Sequence, residues 1–259
     1  MPPAELAARA RGVGLAALAL TDHDNCDGVG ELLAEGGSGF FAGVELSIEP
    51  GAGFDKFHLL GLGVDPANAE LKALLRRILA NFTRIGIEIA EDDIAAYAHG
   101  EVLARPHFAR WLMDHGYVQS VAEGFERYLL PDSPAETRCY EERWHPRQED
   151  SFAAIHAAGG VAVMAHPRFW RRGWKREGSD FAAAAAELRR LKEAGLDGLE
   201  CLYSSNSPAE NVGFTRIALE LGLIKSAGSD FHGANKPEIA LGMEVSEEFI
   251  GPLLERLGH

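Results

Sequence analysis

The chain has 259 residues, 46 % hydrophobic and 25 % charged, with a formal net charge of −14. That balance describes a globular chain able to bury about 70–75 % of the surface its unfolded form exposes. The acidic excess argues against a broad electrostatic footprint for duplex nucleic acid, but not against an anionic substrate held by a local metal centre. No apolar stretch reaches the roughly 20 residues of a membrane span and no basic-then-apolar leader opens the chain, so the expected address is the cytoplasm. Cys26, Cys139 and Cys201 lie far apart and in no C-x-x-C pair, which signals neither a disulfide framework nor a zinc knuckle.

In chain order, Pro2-Pro3-Ala4-Glu5 suits the start of a helix running to Arg11, with proline and an acid in its first turn. The runs "LAALAL" (Leu15–Leu20), "FFAGVEL" (Phe40–Leu46) and "KFHLLGLGV" (Lys56–Val64) read as buried strands. From Ala67 to about Leu130 the pattern turns helical, with one helix from Pro106 to Gly116 and another from about Ser120 to Leu129. This segment, 67–130, is read as an inserted helical subdomain, leaving 1–66 and 131–259 as the main domain. After a polar connection, Thr137–Asp150, a cadence of helix, glycine cap and short apolar strand appears three times, ending in "VAVMA", "GLECLY" and "LIKSA". The cadence predicts a parallel sheet, and the lack of a dinucleotide glycine fingerprint favours an α/β barrel over a Rossmann fold.

Barrel folds keep their chemistry at the C-terminal ends of their strands. Those ends read "TDHD" (Thr21–Asp24), "VELS" (Val44–Ser47), "AHP" (Ala165–Pro167) and "SDFH" (Ser229–His232), with His58 inside its own strand. Imidazole nitrogen and carboxylate oxygen are the ligand set of Zn, Mn or Fe, and a glutamate among them can bridge two ions. His23, Glu45, His58, His166, Asp230 and His232 are therefore the candidate metal ligands. The Asp-x-His spacing lets Asp230 and His232 leave an extended segment on one side. Plainer readings exist: Asp22 and Asp24 cap a turn, Glu45 pairs with a base, and His58, between Phe57 and Leu59, is a core histidine.

Taken together, "ALTDHD", "GVELS", "FHLLGLG", "GGVAVMAHP" and "GSDFHG", in that order, resemble the PHP (polymerase and histidinol phosphatase) metal-dependent phosphoesterases. "RPHFARWLMDHGYVQSVAEGFERYL" (Arg105–Leu129) resembles the helical insertion of one subgroup. The resemblance implies a distorted (β/α)7 barrel with up to three Mn, Fe or Zn ions, hydrolysing a small phosphorylated substrate: histidinol phosphate, a nucleoside 3′,5′-bisphosphate or the 5′ end of a short RNA. Family members begin with a strand ending in His-x-His, followed by an aspartate; no His-x-His occurs in this chain. The resemblance thus implies a barrel lacking its first strand, with two unpaired sheet edges and three of nine ligands missing. It leaves one complete pocket (Glu45, His58, His166), a second with Asp230 and the bridging Glu45, and a third with His23 and His232. Weak activity is the expectation for such a ligand set.

The implied chemistry is attack of an ion-activated water in line at phosphorus. Glu45, His23 and His232 are the candidate catalytic residues, with His23 or His232 a possible proton donor to the leaving oxygen. Arg105 and Arg143 are candidates for holding the phosphate. Ser204, Ser205 and Asn206 either line the pocket or cap the helix before Pro208. No G-x-S-x-G elbow supports a covalent hydrolase. The competing class is a non-catalytic, degenerate barrel that binds a phosphorylated ligand or metal. Amide hydrolysis with a metal-bridging lysine is a third reading, for which Lys56 and Lys225 are poorly placed.

Overall fold

The computed structural model describes residues 1–37, 39–51, 54, 56–73, 105–130, 132–134, 136, 145–170, 181–233 and 236–259. The chain divides into two compact units, one of Met1–Pro2 with Leu75–Trp144 and one of Pro3–Leu74 with His145–His259.

In the smaller unit, helix α3 (Arg105–Asp114) is followed by α4 (Val121–Gly124), whose Ser120 cap accepts from the Glu123 N–H, and by a π-turn over Phe125–Leu129. Ala109, Leu112, Val118 and Leu129 form its buried core.

The larger unit is built on six strands: β1 (Leu18–Leu20), β2 (Phe40–Ser47), β3 (His58–Leu62), β4 (Val161–Met164), β5 (Gly198–Tyr203) and β6 (Ile224–Gly228). They hydrogen-bond in chain order into one sheet that curls into a half-barrel. Among the described residues β1 pairs only with β2, and β6 only with β5. Helices α1 (Pro3–Gly12), α2 (Val29–Ala34), α5 (Gln148–Ala157), α6 (Phe181–Ala194), α7 (Pro208–Leu221) and α8 (Glu247–Arg256) complete it. Helix α7 shows how local chemistry sets a boundary. Ser207 and Glu210 form a reciprocal capping box, Pro208 opens the first turn, and Gly222 closes the helix at φ 62°.

The three strands of the helix–strand cadence, β4, β5 and β6, are parallel as it predicts, but the sheet as a whole is mixed. β3 runs antiparallel to both β2 and β4, while β1·β2, β4·β5 and β5·β6 are parallel. A parallel step needs a crossover of a dozen or more residues, usually helical. The other parallel steps have one, whereas only ten residues, 48–57, separate β2 from β3. The chain therefore doubles back.

Side-chain alternation divides the two faces of the sheet. A Cβ on Gly61 would meet Ile155 of α5 at 3.0 Å, so that face carries α5. On the other face Leu60 and Leu62 cluster with Val161, Val163, Ala165 and Leu253 of α8. His58 shares the parity of Leu60 and Leu62, so it stands on the face that α8 fills lower down. The C-terminal helix, which the sequence reading left unassigned, thus plugs the concave side of the half-barrel. Among the described residues no helix is long and apolar enough to cross a membrane.

Because Leu253 is 4 % exposed inside this cluster, Leu253→Ala should lower unfolding stability by about 2–4 kcal/mol. Urea unfolding should show a lower midpoint at unchanged slope; an unchanged midpoint would show that α8 does not support the sheet.

Candidate metal centre

Backbone pairing assembles the site first. Past β1 the chain bridges His23 to Glu45, with Asp24 N–H donating to Glu45 O (2.8 Å) and Glu45 N–H to Asp22 O (3.0 Å). The buried Asp24 Oδ1 accepts from the Ser47 N–H at 2.8 Å, tying this loop to the end of β2. Asp24 therefore has a structural task, but as a tie across to β2 rather than as a cap of the turn that follows it. The β2·β3 register sets Ser47 opposite His58, and Ala165 N–H donates to His58 O at 3.1 Å. His166 follows immediately.

Glu45, 5 % exposed, is the hub. His58 Nδ1 lies 2.6 Å and His166 Nε2 3.0 Å from its Oε1, and His23 Nδ1 lies 3.9 Å from its Oε2. The rings meet edge-on, His23 to His58 at 5.0 Å and His58 to His166 at 5.1 Å between centroids. Beside them Asp230 Oδ2 accepts from Tyr203 OH (3.0 Å) and from Lys236 Nζ (2.8 Å). His232 Nδ1 sits 2.8 Å from the Asp230 backbone oxygen; a proton donated there leaves Nε2 with its lone pair. All six candidate ligands line one cavity of about 400 Å³.

The electrostatics follow from burial and pairing. Burial acts to raise the Glu45 pKa, but hydrogen bonds from His166 and His58 and the charge of His23 outweigh it, and Glu45 ionises well below the usual carboxylate range. Desolvation pulls down on His58, yet its bond to Glu45 leaves the pKa raised. Desolvation dominates at His23 and lowers its pKa, which favours the neutral ring with one nitrogen lone pair free. A divalent cation fits this set. His23, Glu45 and His58 offer ligand atoms within 4.8 Å of one another, and the buried His23 Nδ1 has no hydrogen-bond partner. An orphaned imidazole nitrogen beside an ionised carboxylate matches the donors of Zn, Mn or Fe. His23 sits against Glu45 and His58, in the cavity that His232, its partner by the resemblance, also lines.

The other candidates divide. Ser205 lines the cavity, whereas Ser204 is exposed. Asn206 Nδ2 donates to Asn211 Oδ1 (3.0 Å) in the turn before α7, and the cap itself is Ser207. The side chain of Arg105, the first residue of α3, and the whole of Arg143 lie outside the described residues. Lys56 pairs with Glu49 at 3.4 Å, and Lys225 packs over the Phe249 ring at 4.4 Å, so neither lysine is arranged to bridge metals.

Three residues escaped the sequence reading: Tyr203, Lys236 and Glu200. Glu200, inside "GLECLY", is 5 % exposed, and its Oε2 accepts from the His166 N–H at 2.6 Å. Burial pushes its pKa up to about 8, against the lowering effect of that hydrogen bond. A carboxylate in an otherwise apolar strand was the available signal. His166, at φ 27°, is held by this bond in a conformation few non-glycine residues adopt.

No protein-family model matches the chain. It is 34 % identical over 250 residues to a 3′,5′-nucleoside bisphosphate phosphatase of Chromobacterium violaceum, covering 90 % of this chain and 82 % of that protein. It is 32 % identical over 249 residues to a 5′-3′ exoribonuclease of Haemophilus influenzae, covering 90 % and 85 %. Among solved structures, an amidohydrolase from Chromobacterium violaceum with bound sulfate and no metal superposes at TM-score 0.73 and 30 % identity, over 99 % of this chain and 92 % of that one. A chain from Bifidobacterium adolescentis described as a metal-dependent phosphoesterase superposes at 0.72 and 26 % identity, over 98 % and 90 %.

Two outcomes are expected. Glu45→Gln keeps the shape but removes the charge at the hub, so Mn²⁺ affinity measured calorimetrically should fall by at least about 10–100-fold; wild-type affinity would exclude Glu45 as a ligand. Glu200 titrates near 8 when folded and near 4.3 when unfolded. Between those values the unfolded state binds fewer protons, so this group lowers stability as pH rises, by about 1.4 kcal/mol per unit. Glu200→Gln should therefore gain stability relative to wild type from pH 4.5 to 8 in metal-free protein. A pH-independent difference in urea unfolding would contradict this.

Proposed function

The chain belongs to the PHP family of metal-dependent phosphoesterases, and on that premise we propose that it hydrolyses a phosphoester of a nucleotide, either a nucleoside 3′,5′-bisphosphate or the 5′ end of a short RNA. The observation that carries this is the convergence of His23, His58 and His166 on the buried carboxylate of Glu45 inside the cavity that Asp230 and His232 also line. The names of the two relatives support the substrate class.

In this reading Glu45, His23, His58 and His166 hold a divalent ion, for which Mn, Fe or Zn suit an imidazole-rich set with one carboxylate. The ion, when bound, supplies positive charge for the phosphate oxygens and lowers the pKa of water. Tyr203 fixes Asp230 from the β5 side. His232, its Nδ1 engaged with the backbone, presents the Nε2 lone pair to the cavity, where it can accept a hydrogen bond or join the ion's ligands. Phe169 and Tyr203, whose rings meet edge-on at 6.0 Å, narrow the pocket. The buried free thiols Cys26 and Cys201 suit the cytoplasm.

Phosphate release should be measured for adenosine 3′,5′-bisphosphate, a 5′-phosphorylated oligoribonucleotide and histidinol phosphate, with added Mn²⁺ and with EDTA. Metal-dependent release from one of the nucleotide substrates, exceeding that from histidinol phosphate, is expected. Release that survives EDTA, or none from either nucleotide, would reject the reading.

A further inference from the structure

We propose that Lys236 is a substrate-binding residue of this site: tethered by Asp230, its ammonium places a fixed positive charge against one oxygen of the substrate's phosphate. The proposal rests on the phosphoesterase reading above. The cavity carries three carboxylates, Glu45, Asp230 and Glu238, and among its described lining residues Lys236 is the one lysine or arginine. A phosphate dianion entering this acidic pocket needs positive charge beyond a single ion. Lys236 Nζ is 2.8 Å from Asp230 Oδ2, and Tyr203 OH donates to the same oxygen at 3.0 Å. The carboxylate is thus held by two donors, and the lysine, otherwise a long flexible side chain, is held by the carboxylate. An ammonium has three donors, and this contact uses one. The side chain is 37 % exposed, which leaves its head accessible rather than sealed in a structural ion pair. Holding the lysine in place before substrate arrives reduces the entropy lost on binding.

The experiment is calorimetric titration of inorganic phosphate into Mn²⁺-loaded wild type, Lys236→Met and Lys236→Arg, with Mn²⁺ affinity measured on the same proteins. Met keeps the apolar stem and loses the charge; Arg keeps the charge. Expected is a loss of phosphate affinity on the order of tenfold in Lys236→Met, a smaller loss in Lys236→Arg, and unchanged Mn²⁺ affinity. KM for the nucleotide substrate should rise in parallel while kcat moves less. Lys236→Gln, a second neutral replacement, should repeat the loss. A folded neutral variant that binds phosphate as wild type does, or loses it only together with Mn²⁺, overturns the proposal. Phosphate binding is read without turnover, so intact binding with no metal-dependent hydrolysis would reject the phosphoesterase reading instead.

Discussion

A single buried carboxylate, Glu45, sets the terms for the larger unit. A carboxylate out of water is costly unless paired and hydrogen-bonded, and here two imidazoles contact one of its oxygens while a third approaches the other. Those partners come from three different segments: the loop after β1, the start of β3 and the loop after β4. Satisfying one charge therefore pins three strand ends together. The cost appears in the backbone. Among the described residues the non-glycine positions with positive φ are Asp24, His166 and Asp230, at 54°, 27° and 55°, and all three lie at the ends of strands around the cavity. Strain of this kind, of order 1–3 kcal/mol per residue, persists only where the surroundings over-determine it. Asp24 bonded to Ser47 and His166 bonded to Glu200 show how that is done.

The direction of β3 is the second constraint. In an all-parallel sheet the first residue of a strand lies at the end away from the chemistry. Because β3 is reversed, its first residue, His58, lies beside the last residue of β2 and next to Ala165 after β4. The same reversal puts Leu60 and Leu62 lower on the concave face, where Leu253 of α8 packs against them. One short connection thus places a site residue and the seat of the plug together.

Charge completes the picture. A chain of net charge −14 that handles phosphate must concentrate positive charge locally, because Coulomb attraction is strongest in a partly desolvated cavity. The described cavity does so with imidazoles able to hold a cation and with one lysine anchored by a carboxylate. Tyr203, which donates to Asp230, has its own pKa pushed up by burial and by that carboxylate's charge; it stays a donor and cannot compete as an anion.

Much of this was legible in the amino-acid order. The strand "GLECLY" matches the structure residue for residue, and the helix ahead of "LIKSA" ends at a glycine cap, Gly222, as the cadence expects, because apolar runs and caps are local signals. The six candidate ligands share one cavity because strand-end motifs report the end of a barrel where chemistry sits. Tertiary structure decided the rest. The antiparallel course of β3 depends on a connection too short for a crossover, and periodicity is blind to direction. The turn cap fell to Ser207 rather than Asn206 because only geometry chooses among adjacent polar residues. Tyr203 and Lys236 joined the site from a strand end and a loop, where nothing in their local pattern separates a residue aimed at a cavity from one aimed at solvent or core; Glu200 left only the signal of one carboxylate in an apolar strand. Sequence determined which groups were available and on which elements; packing around one buried charge decided which of them meet.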